Sequence, residues 1–97
     1  MDSEYKTKCV VVIDDASVVR EVIVKNLQKI GFEENNIFQA DDGLAGVNIL
    51  RAEKIDLIIS DWNMPKMDGL ELLHTIKQYP ELASIPFIMI TSETEKD

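Results

Sequence analysis

Four short apolar runs, rich in β-branched residues, alternate along the chain with three segments whose apolar residues recur at helical spacing. The runs are Cys9–Ile13, Ile37–Ala40, Ile55–Ser60 and Phe87–Ile90. Unbroken β-branched runs of this length are typical of strands that are buried on both faces of a parallel sheet. Strands that alternate with helices through short links predict an α/β fold, namely a doubly wound parallel sheet in a single domain over residues 1–97.

The helical segments predict where each helix begins and ends and which side chains face the sheet. Ser17 is the expected N-cap of the first helix, and Gly31 stands where glycine commonly ends a helix. The second helix is expected over 44–51 and the third over 70–77. The residues expected to face the core are Val19, Ile23, Leu27 and Ile30, widened by Val18 and Val22, then Leu44, Val47 and Leu50, then Leu70, Leu73 and Ile76.

Composition narrows the class of partner. The chain carries 18 acidic and 10 basic side chains, a net charge of -8. This charge argues against nucleic acid or an anionic membrane surface as a direct partner, and it suits a protein that binds cations. The apolar runs fall well short of the roughly 20 residues that span a bilayer, and the N-terminus lacks the pattern of a signal peptide. With Cys9 as the single cysteine, these features predict a cytoplasmic protein.

Polar side chains stand at the carboxyl ends of three predicted strands. Asp14 and Asp15 follow the first strand, Asp61 follows the third, and Thr91 and Ser92 follow the fourth. A lone aspartate in such a position is more often a cap for the loop backbone than a reactive group. The strand order 2-1-3-4 would place the ends of the first and third strands side by side, at the switch point where open α/β sheets bind their ligands.

Three carboxylates in one crevice repel one another. Two unit charges ~5 Å apart repel by roughly 3 kcal/mol at an effective dielectric of ~20, so the cluster needs a proton, a basic side chain or a divalent cation. Oxygen ligands without a nearby His or Cys favour Mg²⁺. A carboxylate screened by metal is suited to attack a phosphoryl donor and form an aspartyl phosphate, and the Thr91 hydroxyl would then bond a phosphate oxygen.

Other chemistries fit these residues less well. A flavin or dinucleotide site needs a loop rich in Gly, Ser or Thr after the first strand, where this chain has two aspartates, and there is no P-loop motif. A Ser or Cys nucleophile with a His base is disfavoured, because His74 is expected on the outward side of the third helix. Trp62 is expected to be a partly exposed loop aromatic, and Met64 and Met67 are expected to pack.

The strings VVVIDDAS, ISDWNMPKMDGLELL and IMITSE resemble those of response-regulator receiver domains, including chemotaxis regulators of the CheY type. The resemblance runs from Lys8 to about Glu95, and the DWNMPxMDGLELL stretch is its most specific part. It implies the flavodoxin-like, CheY-like strand order 2-1-3-4. It also implies a signalling module of a two-component system, which promotes its own phosphorylation and dephosphorylation and is not an enzyme with turnover on other substrates.

The resemblance assigns roles to the polar residues at the strand ends. Asp61 is implied as the phosphoacceptor, and Thr91 as the residue that bonds the phosphoryl group. Mg²⁺ is the implied cofactor, held by Asp61 and directly by Asp15, by Asp14 largely through water, and by the backbone carbonyl of Asn63. A histidine kinase is the implied phosphodonor, small acyl or amido phosphates are substitutes, and a downstream output protein is a possible second partner.

Receivers of this family continue through a fourth helix, a fifth strand that ends in a lysine, and a fifth helix, whereas this chain ends at Asp97. The resemblance therefore implies a receiver domain that is incomplete at its C-terminus. An exposed fourth strand would then favour a homodimer or an exchange of segments between two chains. The alternative function is a receiver fragment that self-associates and does no productive phosphotransfer.

Overall fold

A four-stranded sheet carries three helices in the computed structural model, which describes residues 3–64 and 66–91. The strands are β1 (Val10–Ile13), β2 (Ile37–Ala40), β3 (Leu57–Asp61) and β4 (Phe87–Ile90). The helices are α1 (Ser17–Ile30), α2 (Gly43–Ala52) and α3 (Gly69–Lys77), with short 3-10 turns at Ser3–Tyr5 and Glu34–Asn36. The predicted order of strands and helices is therefore confirmed, with small shifts at their ends.

The sheet is parallel throughout, and its order β2-β1-β3-β4 confirms the predicted order 2-1-3-4. Ile13, the last residue of β1, lies opposite Ala40 of β2 on one side and Ser60 of β3 on the other. The carboxyl ends of β1 and β3 are consequently neighbours. This is the switch point at which the sequence predicts a ligand crevice.

The core has two parts, because successive residues of a strand face opposite sides of the sheet. On one side, Val11 and Ile13 pack with α2 and α3; on the other, Val10 and Val12 pack with Leu27 of α1. All four residues of β1 are fully buried. A central strand covered on both faces is what its unbroken β-branched sequence predicts.

Five apolar helix residues were wrongly predicted to face or flank the core, and are exposed instead: Val18, Val22, Ile30, Leu44 and Leu70. An α-helix turns about 100° per residue, so positions six apart differ by roughly a third of a turn. Leu44 precedes buried Leu50 by six positions. Leu70 precedes buried Ile76 by the same interval.

The exposed residues of α1 have two causes. Val18 and Val22 are each rotated by more than a third of a turn from Leu27, the buried residue of this helix, at about 100° per residue. Ile30 is the last residue of the helix, and it is Phe32, just beyond the helix, that packs against Leu27. The apolar stripe of α1 is therefore narrower than predicted.

The helix ends explain two further differences. The predicted N-cap Ser17 is wrong: Ala16 occupies that position without a side-chain cap, and Ser17 is the first helical residue. The predicted stop at Gly31 is confirmed, because its φ of 131° lies in a region that favours glycine, and its N–H donates to the carbonyls of Leu27 and Gln28. α1 thus ends in a glycine turn that places Phe32 in the core.

β4 is an edge strand within the part of the chain that the structure describes, and its Ile88 is 49% exposed. The predicted association through β4 stays a prediction. Ser92 and the helical turn expected over 93–97 lie outside the described residues. None of the helices in the described ranges combines the length and apolar character needed to cross a membrane.

Candidate functional site

The site is built around the carboxyl end of β3. Asp61 is the last residue of this strand and is 6% exposed. The Trp62 N–H donates to the Ile90 carbonyl at 2.8 Å, so the strand pairing extends one step beyond Asp61. The Gly69 N–H then donates to the Trp62 carbonyl at 2.9 Å, and a Cβ on Gly69 would lie 2.6 Å from the backbone oxygen of Asp61. Only glycine permits this close return of the chain to the strand end.

The loop between β3 and α3 is anchored at several points. Met64 is buried in the core and Met67 packs against the first turn of α2, which confirms that both residues have packing roles. Lys66 has a φ of 71°, an uncommon left-handed conformation for a residue other than glycine. Asp68 and Glu71 form a capping box at the start of α3, with hydrogen bonds of 2.9 and 3.1 Å. The loop therefore holds the strand end and the helix start together.

The second part of the site is the turn after β1. Asp14 is 4% exposed, and its N–H donates to the Ala40 carbonyl at 3.0 Å. Its carboxylate oxygen Oδ1 accepts a hydrogen bond from the Ala16 N–H at 2.9 Å, so its side chain organises the turn that leads into α1. Asp15 is exposed. The pair thus offers one buried and one solvent-facing carboxylate.

The three predicted carboxylates come together. One oxygen from each of Asp14, Asp15 and Asp61 lies within 4.8 Å of the other two. Oδ1 of Asp61 is buried and has no hydrogen-bond partner among the described residues. A buried polar atom without a partner is costly, so this oxygen is placed to receive something from outside the chain.

The pKa values of the two buried carboxyl groups reflect this environment. Burial is the main cause that raises the pKa of Asp61, the charges of Asp14 and Asp15 raise it further, and the N–H groups of Trp62 and Asn63 oppose the shift. Burial likewise raises the pKa of Asp14. The interpretation of Asp61 as a cap for the loop backbone therefore accounts for part of its surroundings and leaves the convergence of three carboxylates unexplained.

The donor set fits a magnesium ion. Mg²⁺ binds oxygen ligands at about 2.0–2.1 Å in octahedral geometry, so opposite ligands lie about 4 Å apart. Oxygens within 4.8 Å of one another are close to the spacing that the ligands of one such cation require. The orphaned Oδ1 of Asp61 and the like charges around it are both relieved by a cation.

The remaining predicted site residues lie next to the cluster along the chain or the sheet. Asn63 is exposed and follows Asp61 by two residues in the loop. Thr91 is exposed and directly follows Ile90, the residue of β4 that pairs with Asp61. His74 is exposed on α3, which agrees with the outward position predicted for it.

Sequence reasoning missed Arg20, which belongs to the site. Its Nη1 donates to the Asp14 carbonyl at 2.6 Å. The signal that could have found it is a basic residue in the first turn of the helix that follows two aspartates. Trp62, predicted as a partly exposed loop aromatic, is 45% exposed beside Asp61, as expected.

Comparison with known proteins gives one family. The family model described as "Response regulator receiver domain" matches residues 10–97. The chemotaxis protein CheY-3 of Vibrio cholerae is 37% identical over 92 residues, which cover 95% of this chain and 69% of the relative. The chemotaxis response regulator CheY4 of Vibrio cholerae has a structure that superposes with a TM-score of 0.80 at 31% identity, over 91% of this chain and 71% of that one. The response regulator protein TrrA of Thermotoga maritima, solved in complex with Mg(2+)-BeF, gives a TM-score of 0.80 at 28% identity, over 91% and 72%.

Proposed function

The chain belongs to the response regulator receiver domain family, the CheY-like modules of two-component signalling, and we propose that Asp61 is its phosphoacceptor. The observation that carries this proposal is the state of the Asp61 carboxylate. It is buried at a strand end, one of its oxygens has no partner, and two further carboxylates face it within 4.8 Å. A group with this arrangement is held for a reaction and not for packing.

The proposed reaction is the transfer of one phosphoryl group to Asp61. A carboxylate oxygen of Asp61 attacks the phosphorus of a phosphohistidine on a histidine kinase. The new O–P bond forms as the N–P bond breaks, and the electron pair of that bond stays on the imidazole of the donor, which takes up a proton. The product is an aspartyl phosphate on this chain and a neutral histidine on the kinase.

The carboxylates of this chain would hold the cofactor that the family implies. Asp15 and Asp61 would supply side-chain oxygens directly, Asp14 would hold the ion largely through water, and Asn63 would supply its backbone carbonyl. When bound, Mg²⁺ supplies positive charge that offsets the transferred phosphoryl oxygens. Asp61 has two carboxylate oxygens, so one could attack the phosphorus while the other would help to hold the cation. The Mg(2+)-BeF complex of the TrrA relative supports this assignment.

Thr91 has a proposed part in the same step. The register of β3 and β4 pairs Asp61 with Ile90, so the next residue, Thr91, follows at the same sheet edge. We propose that its hydroxyl donates to a phosphoryl oxygen once Asp61 is modified.

The setting of the reaction also belongs to the proposal. A cytoplasmic location, with a histidine kinase as donor and an output protein as later partner, is supported by the family and by a single, partly buried Cys9. The alternative of a self-associating fragment without phosphotransfer is not favoured, because the matched relatives are chemotaxis response regulators.

Intact-mass spectrometry tests the proposal directly. The protein is incubated with a small acyl phosphate and Mg²⁺, and we expect a mass increase of one phosphoryl group that does not form when Mg²⁺ is chelated before the donor is added. Asp61→Asn should show no increase. Asp56→Asn is the matched control, since Asp56 lies just before the same strand and outside the cluster, and it should be modified like the wild type. A wild type without the mass increase, or an Asp61→Asn variant modified as fully as the wild type, would contradict the proposal.

A further inference from the structure

Arg20 joins the acidic turn to the sheet. It lies in the first turn of α1, and its Nη1 donates to the backbone carbonyl of Asp14 at 2.6 Å. Its Nε donates to Oε1 of Gln39 at 3.0 Å. Because Asp14 follows β1 and Gln39 lies in β2, one guanidinium links a helix to two neighbouring strands.

We propose that Arg20 is a positioning residue for the cation site, which holds the Asp14–Asp15 turn in the orientation where both carboxylates converge on Asp61. The inference rests on the proposed function, because it takes these carboxylates to be the ligands of Mg²⁺. Within the described part of the chain, Arg20 donates to the backbone oxygen of Asp14 and to the amide oxygen of Gln39, and not to a carboxylate oxygen. It therefore acts through the turn.

The geometry favours arginine for this task. A guanidinium is planar and presents its donors in a fixed fork, so two bonds to two different strands define the position of the turn in more than one direction. The bond to the Asp14 carbonyl is charge-assisted and short. A lysine ammonium carries the same charge as a point on a flexible stem and does not reproduce the fork.

Three groups of Asp14 are held by hydrogen bonds, and Arg20 holds the carbonyl. Its N–H is held by the Ala40 carbonyl, and its Oδ1 is held by the Ala16 N–H. The carbonyl of Asp14 is the point from which the chain turns toward Asp15, and Arg20 holds it. Asp15 is the next residue and is exposed, so the backbone of this turn sets the point from which its side chain extends.

Charge and position have opposite effects on metal binding, which makes the inference testable. A positive side chain beside the site repels Mg²⁺, so on charge alone the removal of Arg20 should tighten binding. Loss of the fork should loosen the turn and weaken binding.

The experiment is a Mg²⁺ titration followed by the fluorescence of Trp62, which is half-exposed beside Asp61. Asp15→Asn defines the loss of a ligand, and Arg20→Lys, Arg20→Ala and Gln39→Ala probe the fork. Lys25→Ala is the matched control, because it removes the same charge from an exposed position on α1. Urea unfolding of each variant without Mg²⁺ gives its stability.

We expect Arg20→Lys and Arg20→Ala each to weaken Mg²⁺ binding by roughly tenfold, at the low end of the loss seen when a group that orients a metal ligand is removed. Gln39→Ala should weaken binding by about twofold, since its bond to Arg20 is exposed. Lys25→Ala should bind like the wild type. Gln39→Ala also keeps the test valid if Arg20→Ala does not fold, because Gln39 is a surface residue.

Three outcomes would overturn the inference. If Arg20→Ala binds Mg²⁺ more tightly than the wild type and Arg20→Lys binds it equally well, Arg20 affects the site only through its charge. Lower stability with unchanged Mg²⁺ affinity in all three fork variants would make its role structural only. A wild type whose response to Mg²⁺ equals that of Asp15→Asn would remove the proposed metal site as well, whereas the first two outcomes leave that site in place.

Discussion

The two ends of β3 carry the same residue type in opposite circumstances. Asp56 directly precedes the strand, and its Oδ2 accepts a hydrogen bond from the Cys9 N–H at 2.9 Å while its own N–H donates to the Cys9 carbonyl at 2.8 Å. Asp61 ends the strand, is buried, and has an oxygen without a partner. Asp56 completes the hydrogen bonding at the amino ends of β1 and β3, whereas Asp61 lies among like charges.

The difference separates a carboxylate with a structural role from the proposed phosphoacceptor. The Asp56 carboxylate is paired with a backbone donor and stabilises the fold, whereas the buried Asp61 carboxylate has an unpaired oxygen beside two other carboxylates, which lowers stability. At the amino end, the Cys9 thiol is not activated, because burial raises its pKa and the charge of Asp56 raises that pKa further. The candidate site lies at the carboxyl end, where open parallel sheets generally bind their ligands.

We expect the largest loss of stability from Gly69→Ala, which disturbs only the carboxyl end of β3. The added Cβ would lie 2.6 Å from the backbone oxygen of Asp61, which has little room to move. We expect a loss of about 3 kcal/mol in the free energy of unfolding, the upper range for overpacking.

Gly43→Ala is the control for that substitution, because Gly43 is the first residue of α2 as Gly69 is of α3. Its Cβ would meet the side chain of Met67, which can move aside. The expected loss is about 1 kcal/mol or less, because alanine also favours the helix. Urea unfolding measures both variants, and equal losses would show that the approach of Gly69 to the strand end has no special role.

The two aspartates should respond with opposite signs. Asp56→Ala leaves the Cys9 N–H without its acceptor, and we expect the free energy of unfolding to fall by about 1–2 kcal/mol. Asp61→Asn removes one of three converging charges, and without divalent cations at neutral pH we expect a gain of about 1–2 kcal/mol. Chemical denaturation decides between them. If both variants lose stability, the contrast between the two ends of β3 is wrong.

The smallest effect concerns pH. Burial and then like charges raise the pKa of Asp61 above 3.8, the value that the unfolded chain retains. The folded state therefore binds this proton more tightly than the unfolded chain does. The ionised Asp61 carboxylate lowers the free energy of unfolding in full above the raised pKa, and this loss disappears as pH falls toward 3.8. The stability advantage of Asp61→Asn over the wild type should shrink between pH 7 and pH 4. Denaturation curves at intermediate pH values test this, and an advantage that grows on acidification would contradict it.

Much of the fold followed from local pattern, and the failures have a common cause. The strand runs, their parallel arrangement and the stop at Gly31 were predicted from local pattern, whereas the strand order 2-1-3-4 was implied by the resemblance to receiver domains. The exposure of Val18, Leu44 and Leu70 was not predicted. An apolar residue at the margin of a helical stripe can face either the core or the solvent, and its packing partners decide which. The capping box of Asp68 and Glu71 was missed although its spacing is visible in the sequence.

The candidate site divides in the same way. Asp14, Asp15 and Asp61 were predicted to meet because each follows a strand, and adjacent parallel strands bring their carboxyl ends to one edge. Arg20 was not predicted, since its contacts reach across from a helix to two strands. Asp56 was passed over, because pairing with Cys9 exists only after β1 and β3 are aligned.

The amino-acid sequence by itself determined the alternation of strands and helices and the identity of the acidic residues at the strand ends. These depend on hydrophobic periodicity and on residue type, which are properties of neighbours along the chain. The tertiary structure alone decided that Asp56 accepts from the Cys9 N–H across the sheet and that Asp61 keeps one orphaned oxygen among like charges. Burial, hydrogen bonding and charge repulsion depend on distances between residues far apart in sequence, and those distances exist only once the sheet has formed.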